Sequence, residues 1–351
     1  WTDGDLGHGP AIGLAGSAVI IAFIVNATIT LFTAMAYAEL GSGMPEAGGG
    51  YLWVREGLPR PNAFISGWMA WFAHIVAGSL YAVSFASFLN GLLLQLNFFK
   101  DVGSEGTLLI LGIIPLDKII AIASVAAFTY VNFKGTSETG KTGDIVTVIQ
   151  LGLIFALIGA GLWTMHTNPG WTLNFSDFMP MGIAGVVAAM GLTFIAFEGY
   201  EVIVQTGEEV KNPKRNIPRA IFISLSAVVV LYCLIAFVSI GAIFPEGGIP
   251  SWEFIGNQGE LGISAAAELI LPYGAFIVLG GGLISTLAAL NATTFSSARV
   301  AFAMGRHYNL PHKFSAIHPK NKTPYIAILL SGLIMAVMAS GLPLDQIAIA
   351  A

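Results

Sequence analysis

GIAGVVAAMGLTFIAFEGYEVIV, residues Gly182–Val204, is long enough to cross a bilayer core of ~30 Å as a helix and carries only two charges, Glu198 and Glu201. Three apart on a helix, the two carboxylates share a face. An ionisable group at membrane depth is costly, so it faces a polar cavity, a partner or a transport pathway. Two carboxylates one turn apart in a low dielectric do not both ionise readily, so one is expected to hold a proton. The pair is either a proton- or cation-binding element or a protonated glutamate bonded to a neighbouring helix. Beyond it comes a dense charged loop, EEVKNPKRNIPRA (Glu208–Ala220). A span with buried acid and a basic exit suggests a transporter.

Composition places the rest of the chain in the same setting. Only 10% of the 351 residues are charged and 55% are hydrophobic, whereas soluble domains carry about 25% charged residues. The chain is therefore read as an integral membrane protein in a lipid bilayer. No basic patch with interleaved aromatics supports nucleic-acid binding. The single cysteine, Cys233, excludes an internal disulfide. Residue 1 is Trp and the last residues open a new apolar stretch, so one transmembrane transporter domain, 1–351, is expected, truncated at its start and at its end.

Working outward, apolar segments predict eight membrane helices, near 10–40, 62–97, 117–133, 145–165, 180–206, 217–244, 266–298 and 324–342. Charge tests this map. The loops 41–61, 134–144, 207–219 and 299–322 hold 13 of the 15 Lys and Arg, and the opposite loops hold only Lys100 and Lys118. Positive charge stays on the cytoplasmic side, so the first span is expected to run inward.

Three strings each join a helix end to a basic loop: MAYAELGSGMPEAGGGYLWVREGL (Met35–Leu58), FIAFEGYEVIVQTGEEVKNPKRNIPRAI (Phe194–Ile221), and STLAALNATTFSSARVAFAMGRHYNLP with HPKNKTPYIAI downstream (Ser285–Ile328). On these strings the chain resembles the APC (amino acid–polyamine–organocation) superfamily of amino-acid permeases, over about Ala11 to Ile328. The resemblance implies an all-α LeuT-like bundle of inverted repeats, with the eight spans as family helices two to nine. It also implies a substrate site at midplane, where the first helix of each repeat is broken. By the resemblance, Ile195, Ala196, Phe197, Glu198 and Gly199 form the broken segment that binds substrate. From the residues alone, an ordinary helix with a tolerated glycine is an equal alternative.

The resemblance also marks coupling and gating positions. Glu198 departs from the small or apolar residue usual in the family, and Glu201 matches a frequent acid. Where the family often places an aromatic gate stands Ile195, flanked by Phe194 and Phe197. Gln150 occupies a point where proton-coupled relatives often have lysine, and an amide cannot cycle protons as lysine does. Ser285 and Thr286 lie near the hydroxyls that ligate sodium in coupled relatives; the alternative is a bond to their own helix. A coupling ion, H+ or Na+, is expected, with no cofactor and no resident metal. His74 is expected to be packed and hydrogen-bonded. His307, His312 and His318 fit no metal spacing and are expected to be solvated. Gly280–Gly282 is expected to let helices approach closely.

Three classes of function compete. An intramembrane enzyme lacks support, since no HExxH, no serine–histidine arrangement and no cysteine–base pair is present. A receptor built on a permease fold and a carrier of polyamines or other organic cations remain alternatives. The expected function is a secondary transporter of amino acids in the cytoplasmic membrane, by symport or exchange, with the oligomeric state left open.

Overall fold

The computed structural model describes residues 8–46, 48–96, 109–110, 114–135, 139–197, 199–205 and 207–341. It is helical apart from a two-residue antiparallel pairing of β1 (Leu109–Ile110) with β2 (Ile114–Pro115). The helices are α1 (His8–Ala15), α2 (Val19–Gly43), α3 (Gly50–Gly57), α4 (Arg60–Gln95), α5 (Leu116–Lys134), α6 (Thr139–Thr167) and α7 (Gly182–Phe194). After these come α8 (Tyr200–Gln205), α9 (Pro213–Gly241), α10 (Ser251–Asn257), α11 (Gly262–Ile270), α12 (Gly274–Arg306) and α13 (Tyr325–Gly341). Among the described residues, six helical stretches are long and apolar enough to cross a membrane, with α7 and α13 shorter apolar helices. Apolar side chains such as Phe32, Val148, Ile183 and Leu333 point outward, as they do where the surrounding solvent is hydrocarbon rather than water.

Four predicted spans keep their expected extent to within a few residues, and α6 starts earlier, at Thr139. Three differ in ways that have local causes. The first span is interrupted by a 3-10 turn, Gly16–Ala18. Gly16 has φ +61°, a Cβ there would meet Pro180, and the Ala18 N–H donates to Phe178 O at 2.9 Å. The seventh span begins at Gly274 rather than 266, because Pro272 lacks an N–H and Tyr273 turns to φ +63°. The fifth is cut in two, as described below.

The chain divides into two compact units, and five crossings carry it between them, after Ala34, Val146, Glu198, Ile221 and Gly281. In unit 1 (Trp1–Ala34, Thr147–Glu198, Phe222–Gly281), α1 packs on α7 and α10. The contact is backbone to backbone: a Cβ on Gly13 would lie 2.8 Å from Gly256 Cα, and one on Gly185 would lie 2.2 Å from Leu14 O. In lipid, where apolar side chains gain nothing by hiding from water, such close approach supplies the van der Waals contact that holds helices together.

Unit 2 (Met35–Val146, Gly199–Ile221, Gly282–Ala351) is built on α4, α5 and α13 packed against one another. Trp71 Nε1 donates to Ser331 Oγ at 2.9 Å, and Ser79 Oγ to Met335 O at 3.2 Å. α5 ends on Gly135 in the left-handed region, φ +64°. The Phe133 carbonyl left open there accepts from Asn321 Nδ2 at 3.0 Å and Thr323 Oγ1 at 2.8 Å. Of the glycine run, Gly282 faces the Phe88 ring closely, while a Cβ on Gly280 would meet nothing within 4 Å. Close approach therefore belongs to Gly282 and not to the whole run.

Candidate functional site

α7 stops at Phe194, a 3-10 turn covers Ile195–Phe197, and α8 starts at Tyr200. Neither helix crosses a bilayer alone: 13 residues of α7 reach only about 20 Å at 1.5 Å per residue. The ordinary-helix alternative for this segment is thus set aside. Gly199, at φ +114°, is where the chain turns, a conformation open to glycine and strained for other residues.

The hydrogen bonds explain why the helix does not resume at once. The Gly199 N–H, three residues after Ala196 and its natural 3-10 partner, donates instead to Glu201 Oε2 at 3.2 Å. In unit 1 the Ala196 carbonyl accepts from Tyr232 Oη at 3.0 Å. Tyr232 sits in an aromatic triangle, with ring centroids 5.5 Å from Phe23 and 5.7 Å from Phe197, and 6.3 Å between those two. Phe23 and Phe197 are buried. Asn26, on the same helix as Phe23, donates to Met190 O at 2.8 Å and to Thr193 Oγ1 at 3.0 Å. It ties α2 to the last turns of α7. Tyr232, Phe23 and Asn26 went unmarked in the sequence. Asn26 had a signal, a lone amide in the apolar run VIIAFIVNATI; Tyr232 had none, being one aromatic among many in a membrane helix.

All but one of the predicted site residues lie among the described residues. Ala196 and Phe197 join in unit 1, while Phe194 is exposed. Ile195 is part of the 3-10 turn. Glu198 lies outside the described residues. Gln150 is half-buried on α6 in unit 1. Gly199 and Glu201 meet in unit 2, where the Glu201 carboxylate caps the restart of its own short helix. Ser285 is exposed on α12. Thr286 is buried and its hydroxyl lies 2.8 Å from Gly282 O and 3.1 Å from Leu283 O, bonded within its own helix.

Unit 2 also holds a cavity of about 910 Å³, lined by Asn132, Asn291, Arg299, Arg306 and Glu208 among others. Arg306 pairs with Glu208 at 3.7 Å, and Asn132 Nδ2 donates to Asn291 Oδ1 at 2.9 Å. His74, as expected, is buried and bonded: its Nδ1 donates to Ala70 O at 2.5 Å, and Gln205 Nε2 donates to its Nε2 at 3.2 Å.

The loop histidines are not simply solvated. His307 is partly buried and accepts a hydrogen bond from Arg55 on α3. Burial first, then the Arg55 and Arg306 guanidinium groups, hold it below the ordinary histidine range. Tyr51, beside it, is pushed up by its own burial and accepts from Asn309 Nδ2 at 3.0 Å. His312 stacks on Tyr308 at 5.0 Å, and His318 Nδ1 accepts from the Asn321 N–H at 3.2 Å. Gly48, at φ +114°, brings this loop against α12, since a Cβ there would come within 2.7 Å of Ala303.

The amino acid permease family model matches residues 6–349. The chain belongs to that family. A branched-chain amino acid permease of Bacillus subtilis is 31% identical over 340 residues, covering 95% of this chain and 70% of that protein. A methylthioribose transporter of the same organism is 28% identical, covering 95% of this chain and 69% of its own length. A mouse cationic amino acid transporter is also 28% identical over 95% of this chain, which spans 51% of the mouse protein. These relatives and the family are transporters, not enzymes. Their substrates are small molecules, and the chain is a multi-pass membrane protein of the same kind.

Proposed function

We propose that the protein carries a zwitterionic or cationic amino acid across the cytoplasmic membrane by alternating access, with substrate bound at the turn that ends α7 and interrupts the fifth span. The supporting observation is that interruption, at Ile195–Gly199. The C-terminal end of a helix carries partial negative charge on carbonyls that lack partners one turn on. The end of α7 and the following turn can therefore receive a substrate ammonium. Phe197 does not offer its face to a substrate, because it packs against Phe23 and Tyr232.

For coupling we favour a proton over sodium. The amide of Gln150 cannot carry the proton, and the Thr286 hydroxyl gives its hydrogen to its own helix. Glu201, by contrast, presents a carboxylate at the restart of the helix, where protonation would weaken its hold on the Gly199 N–H. Positive charge in the loops 41–61, 207–219 and 299–322 orients those loops to the cytoplasm.

The test is uptake into proteoliposomes of labelled leucine, valine, lysine, arginine, spermidine and methylthioribose, under separate proton and sodium gradients. Proton-driven amino-acid accumulation that Glu201→Gln abolishes supports the reading. Sodium-driven accumulation overturns the coupling assignment. Uptake of spermidine or methylthioribose alone overturns the substrate class. Exchange only from preloaded vesicles makes the protein an antiporter, and silence in every arm favours a receptor.

A further inference from the structure

Resting on that reading, we propose that Tyr232 is a positioning residue for substrate recognition: its hydroxyl pins the Ala196 carbonyl and so fixes the peptide planes that meet the substrate ammonium. An interrupted helix gains a binding surface at the cost of order. Peptide units freed from the i→i−4 ladder can rotate, and a cation needs carbonyls held in one direction before it arrives. Ala196 has lost its nearest local donor, because the Gly199 N–H is turned to Glu201. Tyr232 Oη, 36 residues away, supplies the replacement at 3.0 Å.

The ring that carries this hydroxyl is itself held. Phe23 from α2 and Phe197 from the turn both pack against it, at 5.5 and 5.7 Å. Asn26, one turn along α2 from Phe23, fastens the adjoining end of α7 through Met190 O and Thr193 Oγ1. The interruption is thus held from α2 by an amide and from α9 by a phenol. A carbonyl oxygen has two lone pairs, so the tyrosine bond leaves Ala196 able to accept a second hydrogen while its direction stays fixed.

The experiment compares the whole protein with Tyr232→Phe, which keeps the ring and removes the donor, and with Tyr232→Leu, which removes both. Hydrogen–deuterium exchange of the peptide spanning Phe194–Tyr200 reads the pinning without any substrate. Uptake of labelled leucine and lysine in proteoliposomes reads its use. The expected result is faster exchange of that peptide in Tyr232→Phe, with KM raised about three- to tenfold, the worth of one hydrogen bond, and kcat within about twofold. Tyr232→Leu should add a loss of thermal stability that Tyr232→Phe does not show. Unchanged exchange in Tyr232→Phe overturns the proposal, as does a fall in kcat with KM unchanged. If the wild-type protein transports neither amino acid, the functional reading above fails, and exchange alone still decides whether Tyr232 holds the turn.

Discussion

Two membrane helices with similar raw material end differently. The segment Gly182–Gln205 contains glycines and two glutamates and is broken into α7 and α8; α12 contains Gly280–Gly282, Ser285 and Thr286 and runs unbroken for 33 residues. Glycine content therefore does not decide the matter. What differs is where the polar groups turn. Around the interruption, the Glu201 carboxylate takes the Gly199 N–H and the Tyr232 hydroxyl takes the Ala196 carbonyl. In α12 the Thr286 hydroxyl folds back onto the carbonyls of its own preceding turn. A break in a bilayer persists only where its freed backbone groups find other partners, and only the first segment has them.

Substitution should separate the two helices sharply. Asn26→Leu removes both amide bonds at the end of α7, inside a buried site. It is expected to cost about 2–3 kcal/mol, seen as a lowered Tm in detergent; an unchanged Tm would mean that α7 ends without help from α2. Gly199→Ala puts a side chain at φ +114°, and should cost about 1–3 kcal/mol although a Cβ there would meet nothing. Gly280→Ala, equally uncrowded but inside a continuous helix, should have the opposite sign and stabilise by about 0.5–1 kcal/mol. If both changes move Tm in the same direction, the comparison fails.

A smaller effect is expected at the loop that joins α3 to the end of α12. Neutral His307 accepts from Arg55, and its pKa is held below the ordinary value. Its contribution to stability should therefore be complete above about pH 6.5 and lost as pH falls through the lowered folded value. His307→Asn, whose side-chain oxygen accepts at any pH, should flatten the fall of Tm between neutral and acid pH. An identical slope in the variant would show that other groups govern that fall. The smallest change is Thr286→Val. With the hydroxyl already satisfied within its helix, it should shift stability by less than about 0.5 kcal/mol and leave the ion dependence of uptake intact. Loss of a sodium requirement on that substitution would reinstate Thr286 as an ion ligand.

Much of the fold was legible in the chain. A bilayer demands long apolar runs whose backbone is satisfied locally, and this demand writes itself into composition, so α4, α5, α9 and α13 appear nearly where hydropathy puts them. The interruption was legible only through the resemblance carried by Phe194–Ile221, since glycine alone left it evenly balanced. The break at Gly16 was invisible, because it depends on Phe178 and Pro180, more than 160 residues on.

The site divides along the same line. By itself the chain determined a multi-pass membrane protein and the charge asymmetry of its loops, because these follow from local composition and pattern, while the permease kind and the interrupted segment came through the resemblance of its three strings. The tertiary structure decided which groups hold that interruption: Tyr232 on the Ala196 carbonyl, Asn26 on the end of α7, and Phe197 packed against Phe23 and Tyr232. Those are contacts between residues far apart in sequence, and their energy depends on distances of a few ångströms that no local pattern records.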